Sequence, residues 1–395
     1  MLVEIFPGDA LPGDLVAEWR KLRDGQPELA TPFLAPEFIQ CVAAARPGVQ
    51  VMVVSDCQGL ALVAPFYRQS RTTAGPVADT FSDIEGAIIR PGFRPNVTQL
   101  MRAARLTRWQ FRRWLAHQTM FTQYAACQYG NPLIDLSNGW DAYYRERRAA
   151  GSELWKKTAQ KKRRIERSIG EIRLDFHQKD FQQLELVLQW KRHWTDAKGI
   201  YNPIGEPWHR ELLRNLLHCH TDRFGSGIAS LFVNDQFIAG IFYVRDGARA
   251  SLWISGFDPE FGAYTPGMVC YYELLRAAPE HGLFLFEEGC GDEFFKTRLS
   301  SKYELLAEGE ISRWPGVSSV RRAWMRSKRW LRESPLMRPV YSLVQKARMA
   351  RARASAAQLT AKHTCATESS DRLDESLAAE RVDSEASVPA ASTRR

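Results

Sequence analysis

Apolar residues in the first third of the chain recur in two rhythms. Across 14–23 they fall at helical spacing, and a second helical run, 36–46, opens on Pro36, which a first helical turn tolerates. VQVMVVSDCQGLALVAPFYR then reads as two β-rich runs around Asp56-Cys57-Gln58-Gly59, which is hairpin chemistry. A further strand-like run, DIEGAIIR, precedes a helix near 96–104, and 109–116 and 132–136 read as strands.

The pattern changes at 138. Asn138 is placed to cap a helix through Arg148, and Ser152 a longer one through Arg167. The strand EIRLDFH leads into helices over 180–196 and 208–221. IASLFVNDQFIAGIFYVRDGARASLWISGF predicts three antiparallel strands turned at Asn234-Asp235 and Asp246-Gly247. Next come a helix over 266–278, the strand LFLFEE, a short helix over 292–299 and the strand YELLAEGEIS. Residues 317–355 predict one or two basic helices, interrupted near Pro335 and Pro339, and the stretch from about 358 has the composition of a disordered tail. No tandem repeat is visible.

Composition narrows the classes. A chain of 395 residues exceeds one small core, so two domains are expected. No run of eighteen apolar residues suits a membrane-spanning helix, and the opening MLVEIFPGDALPGDLVAEWR lacks the form of a signal peptide. Seven scattered cysteines without a CxxC pair read as reduced thiols in a cytoplasm. The net charge of +9 is unevenly placed: residues 313–353 hold twelve Lys or Arg and one acid, +11 in all, which leaves −2 for the rest. A neutral body with a basic appendage is not the pattern of a specific nucleic-acid-binding domain. Aromatic and apolar residues among those bases suit an anionic membrane surface instead, which would place the protein at the periphery of the inner membrane.

Chemistry concentrates near the end of the ordered pattern. Three meander strands, a helix and a strand running into an acidic loop make a binding notch if the last strand splays from its neighbour. The helix start then offers N–H groups to a pyrophosphate, and the free strand edge pairs with an extended amide arm such as pantetheine. GFDPEFGAYTPGMVCYYELLRAAPEHGLFLFEEGCGDEFFK resembles the acyltransferase domain of CelD-like proteins in the GNAT superfamily. Those proteins carry a small hydroxyl residue, Pro and Gly at the helix start, then D-F-x-x-G-x-x-x-Y-K after the next strand. Here the elements are Thr265-Pro266-Gly267 and the stretch from Glu287 to Lys296. The basic helix 153–167 and TPFLAPEF are also similar to the family, and the resemblance spans about residues 5–345. Glu287 stands where the family has Asp, and Phe295 where it has Tyr. The Q/R-x-x-G-x-G/A loop is absent, with Gly267 alone kept and Pro266 removing an N–H.

The resemblance implies an α/β (α+β) protein with two tandem GNAT-like mixed-sheet lobes, as in FemAB-type proteins. The expected parts are a GNAT-like lobe at 1–149, an acyltransferase lobe at 150–312, a basic helical extension at 313–357 and a disordered tail at 358–395. It implies transfer from acyl-CoA, most simply acetyl-CoA, as co-substrate. The acceptor is an amine or hydroxyl of a saccharide or lipid-linked saccharide in exopolysaccharide or cellulose synthesis. A FemAB-like aminoacyltransferase and an inactive scaffold of a polysaccharide synthase are the rivals. No permanently bound cofactor or metal is expected. His218-Cys219-His220 does not read as a metal site, because residues two apart on a helix point in different directions.

Thr265, Gly267 and Met268 form the expected CoA-binding helix start. Transfer to an amine needs its neutral form, and deprotonating a group of pKa near 10.4 at pH 7 costs roughly 4–5 kcal/mol. Glu287, at the strand end, is the expected base, with Asp292 and Lys296 as further catalytic candidates. Asp292 also fits as a helix cap, and Lys296 as a salt-bridge partner of Glu287. Trp190, Arg192 and Trp194 read either as a sugar-stacking platform or as a helix packed on the sheet. The bases of 153–167 face substrate phosphate or form a solvated face.

Overall fold

The computed structural model describes residues 1–198, 204–289 and 294–314, with scattered positions up to 327. Most of the basic extension, the tail, Gly291 and Asp292 lie outside the described residues. The chain divides into two units, 1–198 with 202–329, and 199–201 with 330–395. Every strand and helix among the described residues belongs to the first.

The strands are β1 (Leu2–Pro7), β2 (Val49–Asp56), β3 (Gly59–Ser70), β4 (Thr73–Gly75), β5 (Ile88–Ile89), β6 (Arg108–Leu115), β7 (Ala125–Asp135), β8 (Ile172–Gln178), β9 (Phe224–Val233), β10 (Gln236–Asp246), β11 (Arg249–Phe257), β12 (Leu285–Glu287) and β13 (Lys302–Ser312). The helices are α1 (Gly13–Asp24), α2 (Pro36–Ala45), α3 (Val97–Ala103), α4 (Thr119–Thr122), α5 (Trp140–Ala149), α6 (Leu154–Ser168), α7 (Phe181–Lys198), α8 (Pro207–His218), α9 (Pro266–Ala277) and α10 (Phe294–Leu299). Gly139, at φ 80°, precedes α5, and Glu153 precedes α6, so Asn138 and Ser152 each sit one residue outside the caps expected of them. DIEGAIIR yields only the two residues of β5 as strand.

One sheet runs through the whole unit, in the order β1-β2-β3-β4-β6-β13-β7-β12-β11-β10-β9-β8, with β5 beside β3. Two strands exchange places at its middle: β13 lies between β6 and β7, and β7 lies between β13 and β12. Among the described strands, only β4/β6 and β11/β12 pair in parallel. The sheet is thus a mixed one, as the resemblance implies.

Alternation sets the packing. In β10, Ile241 and Tyr243 face α9 and α6, while Phe242 and Val244 face α7 and α8. The latter core continues under α2 into Trp19, Phe38 and Val51, so one apolar layer serves both halves of the sheet. On the opposite face of the first half, Trp109, Trp114 and Phe121 pack with α3. The hairpin turns are those the residues dictate: Asn234 and Asp235 take φ of 47° and 62°, and Gly247 takes 57°.

Candidate active site

The parallel ladder between β11 and β12 holds three residue pairs and ends at Ser251 and Glu287. β11 runs on to Phe257 while β12 stops. At the parting, Phe242 faces Ile254 and Tyr243 faces Leu252, so Trp253 is an extra residue in the strand, a β-bulge. Its indole N–H donates to the Phe81 carbonyl at 2.9 Å, which ties the bulge to the first half of the chain. Beyond it, residues 252–257 have backbone partners only in β10 among the described residues. The result is a free strand edge beside a gap.

Helix α9 starts near that edge. Thr265 precedes it in the left-handed region, φ 50° and ψ 55°, and Pro266 sets the first turn. The Met268 and Val269 N–H groups donate to the Thr265 carbonyl at 3.0 and 3.3 Å. Gly267 is without a Cβ where one would lie 3.3 Å from the Phe257 ring.

The carboxylates divide by face. Glu287 is 0% exposed and accepts from Arg249 Nε, while Arg249 Nη2 donates to Glu304 Oε2 at 2.7 Å. Strands β11, β12 and β13 thus each supply one member of a Glu–Arg–Glu triad. Burial pushes Glu287 up to about 7 despite the opposing pull of Arg249. Glu288, one residue on, points to the other face, where the Tyr271 hydroxyl donates to it at 3.3 Å. Gly289 turns the chain at φ 70°, and Lys296 Nζ reaches back to its carbonyl at 3.4 Å.

A third carboxylate arrives from far away in sequence. Asp83 sits against the same turn: a Cβ added at Gly289 would meet its carboxylate at 3.0 Å. Its side chain is 13% exposed, ion-paired with Arg113 at 3.4 Å. Burial raises its pKa, with Arg113 and Lys296 opposing. The negative charge of Asp83 also raises Glu287. Behind them Glu85 accepts from the Arg112 and Arg113 N–H groups at 3.1 and 2.9 Å, and burial holds it at about 7.

A mixed sheet splayed at a bulge, with a helix start beside the free edge, leaves a notch lined by backbone groups that are unpaired among the described residues. The chain carries a GNAT acetyltransferase domain and is an acyltransferase. Residues 153–297 match the family model described as an acetyltransferase (GNAT) domain. The structure of FemX shares the fold, with a TM-score of 0.52 at 8% identity, over 81% of this chain and 100% of that one. The C-terminal domain (DUF2156) of a putative lysylphosphatidylglycerol synthetase from Agrobacterium fabrum aligns with a TM-score of 0.49 at 13% identity, over 80% and 96%. A tandem GNAT protein from the clavulanic acid biosynthesis pathway aligns with a TM-score of 0.45 at 10% identity, over 79% and 98%. No curated protein matches the sequence.

Of the candidates read from the sequence, Thr265, Gly267 and Met268 stand at the helix start, and Glu287 and Lys296 lie around the turn at Gly289. Glu287 pairs with Arg249, whereas the Lys296 contact that brings it to this turn is with the Gly289 carbonyl. The α7 candidates do not converge. Trp190 packs on Phe237 at 5.1 Å, with its Cβ close under Gly256, and Trp194 lies beneath Lys191. Arg192 points outward, with its side chain 76% exposed, at 3.9 Å from Asp196. Asp83 and Arg249 are absent from the residues that the sequence singles out. Two acids in the apolar run FSDIEGAII were the available signal for the first, and an arginine opening a buried strand for the second.

Proposed function

We propose that the protein transfers an acetyl group from acetyl-CoA to an amine or hydroxyl of a saccharide acceptor, in the assembly of an exopolysaccharide of the cellulose type. The observation that carries the acyl-CoA part is the free edge of β11 beside the start of α9. An extended pantetheine arm satisfies the open backbone groups of 252–257, and the thioester then lies at the parting of β11 and β12. Gly267 leaves space at the helix start for the pyrophosphate. The saccharide acceptor rests on the likeness to CelD-like proteins.

In the transfer the acceptor nitrogen or oxygen forms a bond to the acetyl carbon, and the carbon–sulfur bond breaks. The acceptor's proton goes to the Asp83–Glu287 pair, and the CoA thiolate leaves and takes a proton from solvent. Burial raises both carboxyls, and the charge of Asp83 adds to the rise at Glu287, which suits the pair to proton exchange near neutral pH. Asp83 is the member at the rim, and Glu287 acts from behind it through the shared field. Arg249 and Lys296 hold the strand end and the turn in place.

Calorimetric titration with acetyl-CoA, followed by transfer of labelled acetyl to amino sugars and neutral sugars, tests the reading. Saturable binding and labelled sugar are expected. Absence of binding with transfer from an aminoacyl-tRNA instead would replace it by the aminoacyltransferase alternative.

A further inference from the structure

The start of α9 is poor in backbone donors. Pro266 has none, and the Met268 and Val269 N–H groups are spent on the Thr265 carbonyl, which leaves Gly267. A nucleotide carrying several phosphates at this helix start therefore needs side-chain cations, and α6 brings them. It packs against α9: Trp155 meets Tyr272 at 5.8 Å and Lys162 pairs with Glu273 at 2.8 Å. Toward its other end the Arg164 guanidinium lies 5.3 Å from the centroid of Tyr264, the residue before Thr265.

Helical spacing puts Lys157, Lys161 and Arg164 in one row. None of the three makes an ion pair among the described residues, whereas Lys156 is held by Glu153, and Lys162 by Glu166 and Glu273. Like charges one turn apart oppose each other and weaken the helix. A row of them left without carboxylates, ending one residue from the helix start, is suited to an anion from outside.

We infer that this row seats the 3′-phosphate of the CoA nucleotide and makes the protein selective for CoA over 3′-dephospho-CoA. The inference rests on the acyl-CoA reading. With the pyrophosphate at Gly267 and the pantetheine along β11, the nucleotide end lies outside the notch, on the side where Tyr264 and Arg164 meet. Arg164 supplies the planar guanidinium that matches phosphate, and Lys161 and Lys157 extend the positive field outward.

Calorimetry on the full chain at fixed low salt, with CoA and with 3′-dephospho-CoA, tests it. The wild type should prefer CoA by about tenfold or more, ~1.4 kcal/mol, and Lys161→Ala/Arg164→Ala should bring the ratio to within about twofold. Affinity for dephospho-CoA should fall far less than affinity for CoA, and added salt should shrink the wild-type preference. Lys161→Gln, which keeps the stem, gives the same reading with a smaller shift if the double variant does not fold. Equal wild-type affinity for both ligands, or a ratio untouched in a folded variant, overturns the inference and leaves the acyl-CoA reading intact. A wild type that binds neither ligand removes both. A variant that loses bulk tRNA binding but keeps its CoA preference also overturns it, by assigning the row to a nucleic acid.

Discussion

Two parallel junctions interrupt an otherwise antiparallel sheet, and they end differently. At the first, β4 and β6 pair over Thr73 with Arg108 and Ala74 with Trp109, and the chain itself then fills the parting. Glu85 bridges to Trp114, its N–H donates to the Arg113 carbonyl at 2.8 Å, and its own carbonyl accepts from Leu115 at 2.9 Å. Phe33, Ile84, Trp109 and Trp114 close the space around it. At the second, 252–257 run on unpaired along one edge among the described residues. Exposed backbone groups cost free energy unless something satisfies them. The plugged junction recovers that cost within the fold. On the acyl-CoA reading the open one leaves it to be recovered by the ligand, and that difference separates a structural half-sheet from a working one.

The comparison breaks most severely at Arg249. Arg249→Met strands Glu287 and Glu304 in the open junction, and unfolding in denaturant should show a loss of about 3–5 kcal/mol. Glu85→Gln at the plugged junction should cost much less, because its backbone bonds survive. Next in size, Asp83→Asn should lower turnover by ~10²-fold with CoA affinity kept. The rise of rate with pH on the acidic side should also vanish, since a base with a raised pKa gains activity as it deprotonates. Full activity in Asp83→Asn across pH would leave water as the proton acceptor. Gly267→Asp sharpens the comparison at the helix start: it sets a Cβ against Phe257 and a negative charge where the pyrophosphate belongs. Acetyl-CoA affinity should fall about tenfold, ~1.4 kcal/mol.

The smallest effect concerns pH. Glu287 rises from 4.5 to about 7 on folding, so between those values the folded state binds more protons than the unfolded one. Its contribution to stability therefore declines as pH rises through that window. Thermal melts at pH 5 and pH 7.5 should show a shallower decline, or a steeper gain, for Glu287→Gln than for the wild type. Parallel curves would mean that Glu287 is ionised throughout.

Much of the fold was legible because local signals agreed. The apolar rows of α1, α2, α7 and α8 are long, and the meander β9–β11 carries turn residues at Asn234-Asp235 and Gly247 that tolerate positive φ. Strand β1 was not, since its exposed and half-buried positions leave little apolar contrast. The first part of β7, residues 125–131, lies outside the run 132–136 that reads as strand, and only pairing with β13 makes it one. At the site, the helix start and the opposite facing of Glu287 and Glu288 follow from local periodicity. Asp83 and Arg249 do not, because what recruits them is sheet order and the crossing of a distant loop, which no short window contains.

The exchanged strands also set a timetable. During synthesis β6 and β7 leave the ribosome long before β13, the strand that must lie between them. Until residues 302–312 emerge, the nascent sheet has an empty slot flanked by two strand edges rich in unpaired N–H and carbonyl groups. The first half cannot complete itself and wait for the second, so the usual advantage of domain-by-domain folding is lost. Truncated chains ending before β13 would present sticky edges to one another, and cutting the gene at the apparent midpoint would yield two partners for each other rather than two independent proteins.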